Sequence, residues 1–175
     1  LAQTARDPYN TWKQILFRFF DLLEDTPSDQ LALQFEHEVN QLWEKSPGNP
    51  PAIDVIFTLG KLIGIDIQSE GNRSRQPESA IDELEQAMES ARALVNRLVV
   101  NGPLVLVIDD LQWADKESLG LLLSLVRPGN EPLPALIIGG TRLSLLKDYP
   151  QWWNASHILT LTPIPFTAEM VAFAY

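Results

Sequence analysis

Apolar residues recur at three- and four-residue spacing through the first part of the chain and in unbroken runs afterwards. Trp12, Ile15, Leu16, Phe19, Phe20 and Leu23 form one apolar face of a helix opened by Asp7-Pro8-Tyr9-Asn10. Thr26-Pro27-Ser28-Asp29 supplies a turn and a cap. A second helix follows through Leu31, Phe35, Val39, Leu42 and Trp43 and stops at the breaker cluster 46–51. A third, from about Ala52 to Ile65, aligns Ile53, Ile56, Phe57, Gly60 and Ile63. The polar stretch 66–76 reads as a mobile loop, and Pro77 suits the first turn of the next helix. That helix has the clearest stripe, Ile81, Leu84, Met88, Ala91, Val95 and Leu98, with Asp82, Glu83, Glu85, Glu89 and Arg92 on its other face. Those acids read as a solvated face, because their spacing makes no convergent ligand set.

Asn101-Gly102-Pro103 ends the helical region and admits the wholly apolar run 104–108. Such a run suits a strand buried on both faces of a parallel sheet. Asp115 is expected to cap a helix running to about Arg127 through Leu119, Leu122, Leu123 and Val126. After the loop 127–132, Ala135 to Gly139 reads as a second buried strand, and His157 to Leu161 as a third, with Thr167 capping a last helix. Strand–helix–strand with apolar strands implies a parallel pair. The polar ends Asp109-Asp110 and Thr141-Arg142 would then share one sheet edge.

Composition adds exclusions. The net charge of −10 argues against a general nucleic-acid or anionic-membrane surface. The absence of cysteine removes disulfide and thiolate chemistry and fits a reducing compartment. No apolar run approaches the roughly 20 residues of a membrane span. The chain starts at Leu1 and ends at Tyr175 inside an expected helix, so it reads as a piece of a longer protein.

The chemistry concentrates at Asp109-Asp110. Open α/β sheets bind ligands at the C-terminal ends of their strands, and in P-loop nucleotidases paired acids there are the Walker B element. Thr141 and Arg142, at the end of the neighbouring strand, suit sensing of a γ-phosphate, since a guanidinium stays charged and donates in a fork. The alternatives are acids that only cap a turn, and an Arg142 paired structurally with Asp109, Asp110 or Asp115. A response-regulator receiver domain is rejected, because its phospho-accepting acid has no counterpart at Gly139-Gly140-Thr141-Arg142. A phosphate-cradling G-x-x-x-x-G-K-[ST] string does not occur; Gly60-Lys61 is a decoy followed by Leu62. His37 and His157 lack companions and read as structural, and Trp152-Trp153 as a turn packed on the sheet edge.

The string Val105-Leu106-Val107-Ile108-Asp109-Asp110-Leu111-Gln112-Trp113-Ala114-Asp115, a Leu-rich helix, and then Gly139-Gly140-Thr141-Arg142 resemble the AAA-type ATPase module of signal-transduction (STAND-like) ATPases. Such modules sit beside class III nucleotide cyclases, in Ser/Thr kinases and in LuxR-type regulators. Asp7-Pro8-Tyr9-Asn10-Thr11-Trp12 is similar to their "PYxxW/F" segment. The resemblance implies an α/β, P-loop NTPase-like parallel sheet that is incomplete here. Residues 1–100 would be a helical segment inserted between strands 2 and 3. Residues 101–175 would carry Walker B, sensor 1 and the fifth strand, with strand 1 and the P-loop upstream. The implied cofactors are ATP and Mg²⁺. Asp109 would hold the metal, Asp110 would be the catalytic carboxylate, and Thr141 and Arg142 would occupy the sensor place. Trp113 would pack over the nucleotide site. An extra glycine, Gly140, departs from the usual sensor string.

The implied function is a nucleotide-dependent switch in a multidomain, cytoplasmic signalling protein. ATP hydrolysis would require the upstream loop, and the partners would be that loop, adjacent output domains and a possible second copy. The rival reading is a non-catalytic interaction or scaffold module with a degenerate ATPase fold. A metal-dependent phosphohydrolase using Asp109 and Asp110 directly lacks further acids or histidines. With strand 1 absent, the apolar faces of strands 135–139 and 158–161 would be uncovered, and the stretch is expected to fold poorly alone.

Overall fold

The computed structural model describes residues 7–45, 52–67, 79–126 and 133–150. In chain order these form α1 (Asn10–Phe19), α2 (Ser28–Lys45), α3 (Ala52–Leu62), α4 (Ala80–Leu98), β1 (Leu104–Ile108), α5 (Lys116–Leu125), β2 (Ala135–Gly139) and α6 (Leu143–Asp148). Short 3₁₀ turns occupy Val99–Asn101 and Leu111–Trp113. The stretches expected to hold the third strand, its following helix, Trp152-Trp153 and His157 lie outside the described residues, as do most of the expected loop 66–76 and all of 127–132.

Helices α1 to α5 make one apolar core with the inner face of the strands. Trp12, Leu16, Phe35, Val55, Leu59, Leu94, Leu119 and Leu121 are almost wholly buried. Phe20 and Phe35 meet edge to face, 5.6 Å between centroids, which locks the start of α2 against the end of α1. α4 is the central element, packing against α2, α3 and α5. It starts where Ser79 accepts from the Asp82 N–H at 3.2 Å, and its Arg92 donates to the Leu125 carbonyl at the end of α5.

Helix positions follow the sequence closely and α2 keeps its expected face, with Phe35, Val39 and Trp43 buried, but the rotation of α1, α3 and α4 follows it only in part. In α4 the buried stripe is Ala87, Ser90, Ala91, Leu94 and Val95, whereas Ile81 is 70% exposed and Leu84 also faces out. In α3, Val55, Ile56 and Leu59 are buried, while Ile53 and Phe57 are only half-buried. In α1, Phe17 lies inside and Phe19 outside, and Leu23, past the helix end, is exposed. The reason is common to all three. A helix rich in apolar residues has more than one plausible face, and its neighbours choose among them.

β1 and β2 pair in parallel, with Leu104 opposite Ala135 and Ile108 opposite Gly139. The first two expected strands and their parallel pairing are therefore present. Burial on both faces is not. Leu104, Leu106, Ile108, Ala135 and Ile137 turn towards the helices, whereas Val105, Val107, Leu136 and Ile138 are 57, 67, 56 and 47% exposed on the opposite face. Register places Val105 beside Leu136 and Val107 beside Ile138, so the four make one continuous apolar patch. Among the described residues only one layer of helices covers this two-stranded sheet. That explains why a run apolar at every position has one bare side. No helix among the described residues is long and apolar enough to cross a membrane.

Candidate functional site at the strand tips

Both strands end on the same edge. The Gly140 N–H donates to the Ile108 carbonyl at 2.9 Å, and the Leu111 N–H to the Gly140 carbonyl at 2.8 Å, so the two tips are fastened just where the polar residues begin. Asp109 and Asp110 emerge exposed from β1, and Thr141 and Arg142 from β2. The structure thus brings Asp109, Asp110, Trp113, Thr141 and Arg142 to one end of the sheet.

Asp109 Oδ1 accepts from the Asp110 N–H at 2.8 Å. A Cβ built on Gly140 would lie 2.7 Å from that same oxygen. The extra glycine of the Gly139-Gly140-Thr141-Arg142 string is therefore what lets the carboxylate lie against the end of β2. Asp110 adopts left-handed backbone angles, φ 54° and ψ 39°, a conformation Asp tolerates better than most residues. Its Oδ1 accepts from Gln112 Nε2 at 2.6 Å. The Gln112 amide oxygen in turn accepts from the Arg142 N–H at 3.1 Å. The Arg142 guanidinium lies 5.6 Å from the centre of the Trp113 ring, within cation–π range. Among the described residues the ion pairs are Lys13–Glu24 and Lys61–Glu83, so Arg142 is not the structural partner of any of the three aspartates. The Thr141 hydroxyl turns to the Arg142 carbonyl at 3.3 Å.

A cleft of about 430 Å³ opens beside the acids, bounded by Asp109, Asp110 and Trp113 on one side and by Asn10, Thr11 and Gln14 of α1 on the other. The α1 wall was not foreseen as part of the site. Its placement comes from Asp115, which is buried and joins two helix starts. Its carboxylate accepts from Ser118 N–H (2.7 Å), capping α5 as expected, and also from Tyr9 N–H (2.8 Å) and Thr11 N–H (3.1 Å). The Trp12 N–H donates to the Ser118 hydroxyl at 3.0 Å. The "PYxxW" segment is thus the piece of chain that docks onto this cap. The only sequence signal for the contact was the co-occurrence of that segment with Asp115. Burial raises the Asp115 carboxyl, but the Thr11 and Ser118 amides, the Ser118 hydroxyl and the Tyr9 amide outweigh it and hold it below its ordinary value. The Tyr9 phenol is raised, first by burial and then by Glu83, Glu117 and Asp115.

Two carboxylates at one tip suit Mg²⁺, which takes one or two protein carboxylates and completes its shell with water and phosphate oxygens. No group of three or more His, Asp or Glu that could hold a metal occurs among the described residues. Among the described residues no Lys or Arg lines the cleft. Asp109 and Asp110 are thus the residues that could hold such a metal, and among the described residues no cationic side chain joins them in the cleft.

A family model described as "AAA ATPase domain" matches residues 2–138. No curated protein and no solved structure matches the chain.

Proposed function

Since the chain belongs to the AAA ATPase domain family, we propose that it acts as a non-catalytic interaction and scaffold module that keeps a nucleotide-binding fold in degenerate form. One observation carries this reading: the acids at the strand tips already have protein partners, and among the described residues no Lys or Arg faces them across the cleft. A triphosphate brings several negative charges to an acidic tip, and attraction needs compensating Lys or Arg side chains or a dense set of backbone N–H groups. The chain contains no G-x-x-x-x-G-K-[ST] string to supply them. The bare apolar sheet face supports a role in association, because exposed contiguous apolar surface is a usual mark of an interaction site.

The test is titration of the full-length protein with ATP, with and without Mg²⁺, followed by calorimetry and phosphate release. The expected result is no stoichiometric binding and no turnover. Hydrolysis that disappears in Asp109→Asn would overturn this reading.

A second reading is favoured by the position of the cleft at the C-terminal ends of parallel strands, where open α/β sheets bind ligands. On it the chain is the acid half of a nucleotide-dependent switch, completed by a phosphate-binding loop from elsewhere in the same protein. Asp109 would hold Mg²⁺ and Asp110 would orient the attacking water. Thr141 and Arg142 would respond to the γ-phosphate, and Trp113 would shield the site. Bound Mg²⁺ supplies neutralisation of phosphate charge. Residues 1–100 would then be a helical insert communicating with cyclase, kinase or transcription-regulator domains in a cytoplasmic signalling protein. Slow ATP hydrolysis by the full-length protein, abolished by Asp110→Asn, is the outcome that would favour it.

A further inference from the structure

Gln112 received no role from the sequence, yet its side chain hydrogen-bonds to both strand tips. Its amide nitrogen donates to Asp110 Oδ1 at 2.6 Å, and its amide oxygen accepts from the Arg142 N–H at 3.1 Å. The orientation of the amide is determined by these partners. Flipping it would set oxygen against carboxylate and nitrogen against N–H. Donor and acceptor belong to one planar group, so the two bonds cannot be adjusted independently. Rotation that releases Asp110 also withdraws the acceptor from Arg142.

Arg142 is the residue just before α6, and its guanidinium rests on the Trp113 ring. Trp113 is the immediate neighbour of Gln112 in the same 3₁₀ turn. A closed circuit results: Asp110 to the Gln112 side chain, Gln112 to the Arg142 backbone, the Arg142 side chain to Trp113, and Trp113 through the turn back to Asp110. We propose that Gln112 is a positioning residue that couples the carboxylate of Asp110 to the Arg142–Trp113 stack, so that any ligand capturing Asp110 is registered at the tip of β2. The coupling needs no bound nucleotide and holds under either reading of function, so its failure leaves both readings untouched.

The experiment is a double-mutant cycle read by NMR on the full-length protein labelled with ¹⁵N-arginine and ¹⁵N-tryptophan. In the Gln112 background, Asp110→Ala is expected to move the Arg142 backbone amide proton upfield and to displace the Trp113 indole resonance. In Gln112→Ala, the Arg142 amide is already upfield, and adding Asp110→Ala moves neither signal further. Gln112→Glu keeps an acceptor but sets a second carboxylate against Asp110 Oδ1, so its Arg142 amide is expected upfield and moves back towards the wild-type position when Asp110→Ala removes the repulsion. The buried Trp12 indole reports an intact fold, and Asp110→Ser replaces Asp110→Ala if that signal moves. The proposal is overturned by an Arg142 amide that ignores Asp110 in the parent protein, or by equal Asp110 effects with and without Gln112. It is also overturned if the Arg142 amide of Gln112→Glu stays at the wild-type position while Asp110 is present.

Discussion

Asp115 accepts the backbone N–H of Tyr9 at 2.8 Å across 106 positions of sequence, and the same oxygen accepts the N–H of Ser118. One carboxylate thus serves the starts of both α1 and α5. Tyr9 carries left-handed backbone angles (φ 62°) and offers α1 no side-chain cap of its own. Such a conformation costs about 1–2 kcal/mol in a non-glycine residue. The negative charge of Asp115 at the first turn offsets that cost and satisfies amides that would otherwise be unpaired.

Replacing Asp115 with alanine removes both caps at once. The expected loss is about 2–4 kcal/mol, from cap deletion and from lost hydrogen bonds to a charged group. Urea denaturation checks it. A loss under about 0.5 kcal/mol, the size of an ordinary surface change, would contradict the role assigned to this side chain.

The same carboxylate predicts a pH dependence. Its folded value is lowered from the ordinary 3.8. The unfolded chain therefore binds the proton more tightly, and the stabilisation is complete above 3.8 and lost as pH falls through the lower folded value. The stability gap between the parent chain and Asp115→Asn should narrow as pH drops below about 4. A gap that is constant from neutral pH down to that range and below would show that the group does not titrate differently on folding.

Gly140→Ala tests the close approach of the two tips. Gly140 is not in the left-handed region, so the effect is steric: the new methyl carbon would stand 2.7 Å from Asp109 Oδ1. The Asp109 carboxylate must swing away and release the Asp110 N–H, moving that amide proton upfield in an NMR spectrum. The expected stability cost is modest, about 1 kcal/mol.

The rotation of α4 can be checked by a pair of truncations. Leu94 is 1% exposed and Ile81 70%. Leu94→Ala should cost about 2–5 kcal/mol, and Ile81→Ala no more than about 0.5 kcal/mol. Comparable losses would mean that the stripe read from the sequence, and not the observed one, faces the core.

The bare sheet face makes a complementary prediction. Val107→Thr and Ile138→Thr remove apolar surface that already contacts solvent. In the 175-residue chain each should change stability by less than about 0.5 kcal/mol and lower self-association in sedimentation. A loss of 1.5 kcal/mol or more, as for a buried aliphatic side chain, would mean that the face is covered.

The local elements of this protein were legible in its residues alone. Apolar spacing, the breakers at 101–103 and the Asp115 cap marked where helices and strands begin and end, because those signals act over a few residues. The carboxylate pair at the end of β1 was legible too, since the strand period and the polar turn are written consecutively at 104–110. Tertiary structure decided what faces what. Helices as apolar as α1, α3 and α4 allow several rotations, and only packing selected Phe17 over Phe19 and Leu94 over Leu84. Only the fold brought Tyr9 to Asp115 and Arg142 to Gln112, contacts that join distant segments and follow no sequence period. Only the fold left Val105, Val107, Leu136 and Ile138 bare. A run of apolar residues records that a strand is suited to burial, whereas the layers present around it decide whether both of its sides are buried.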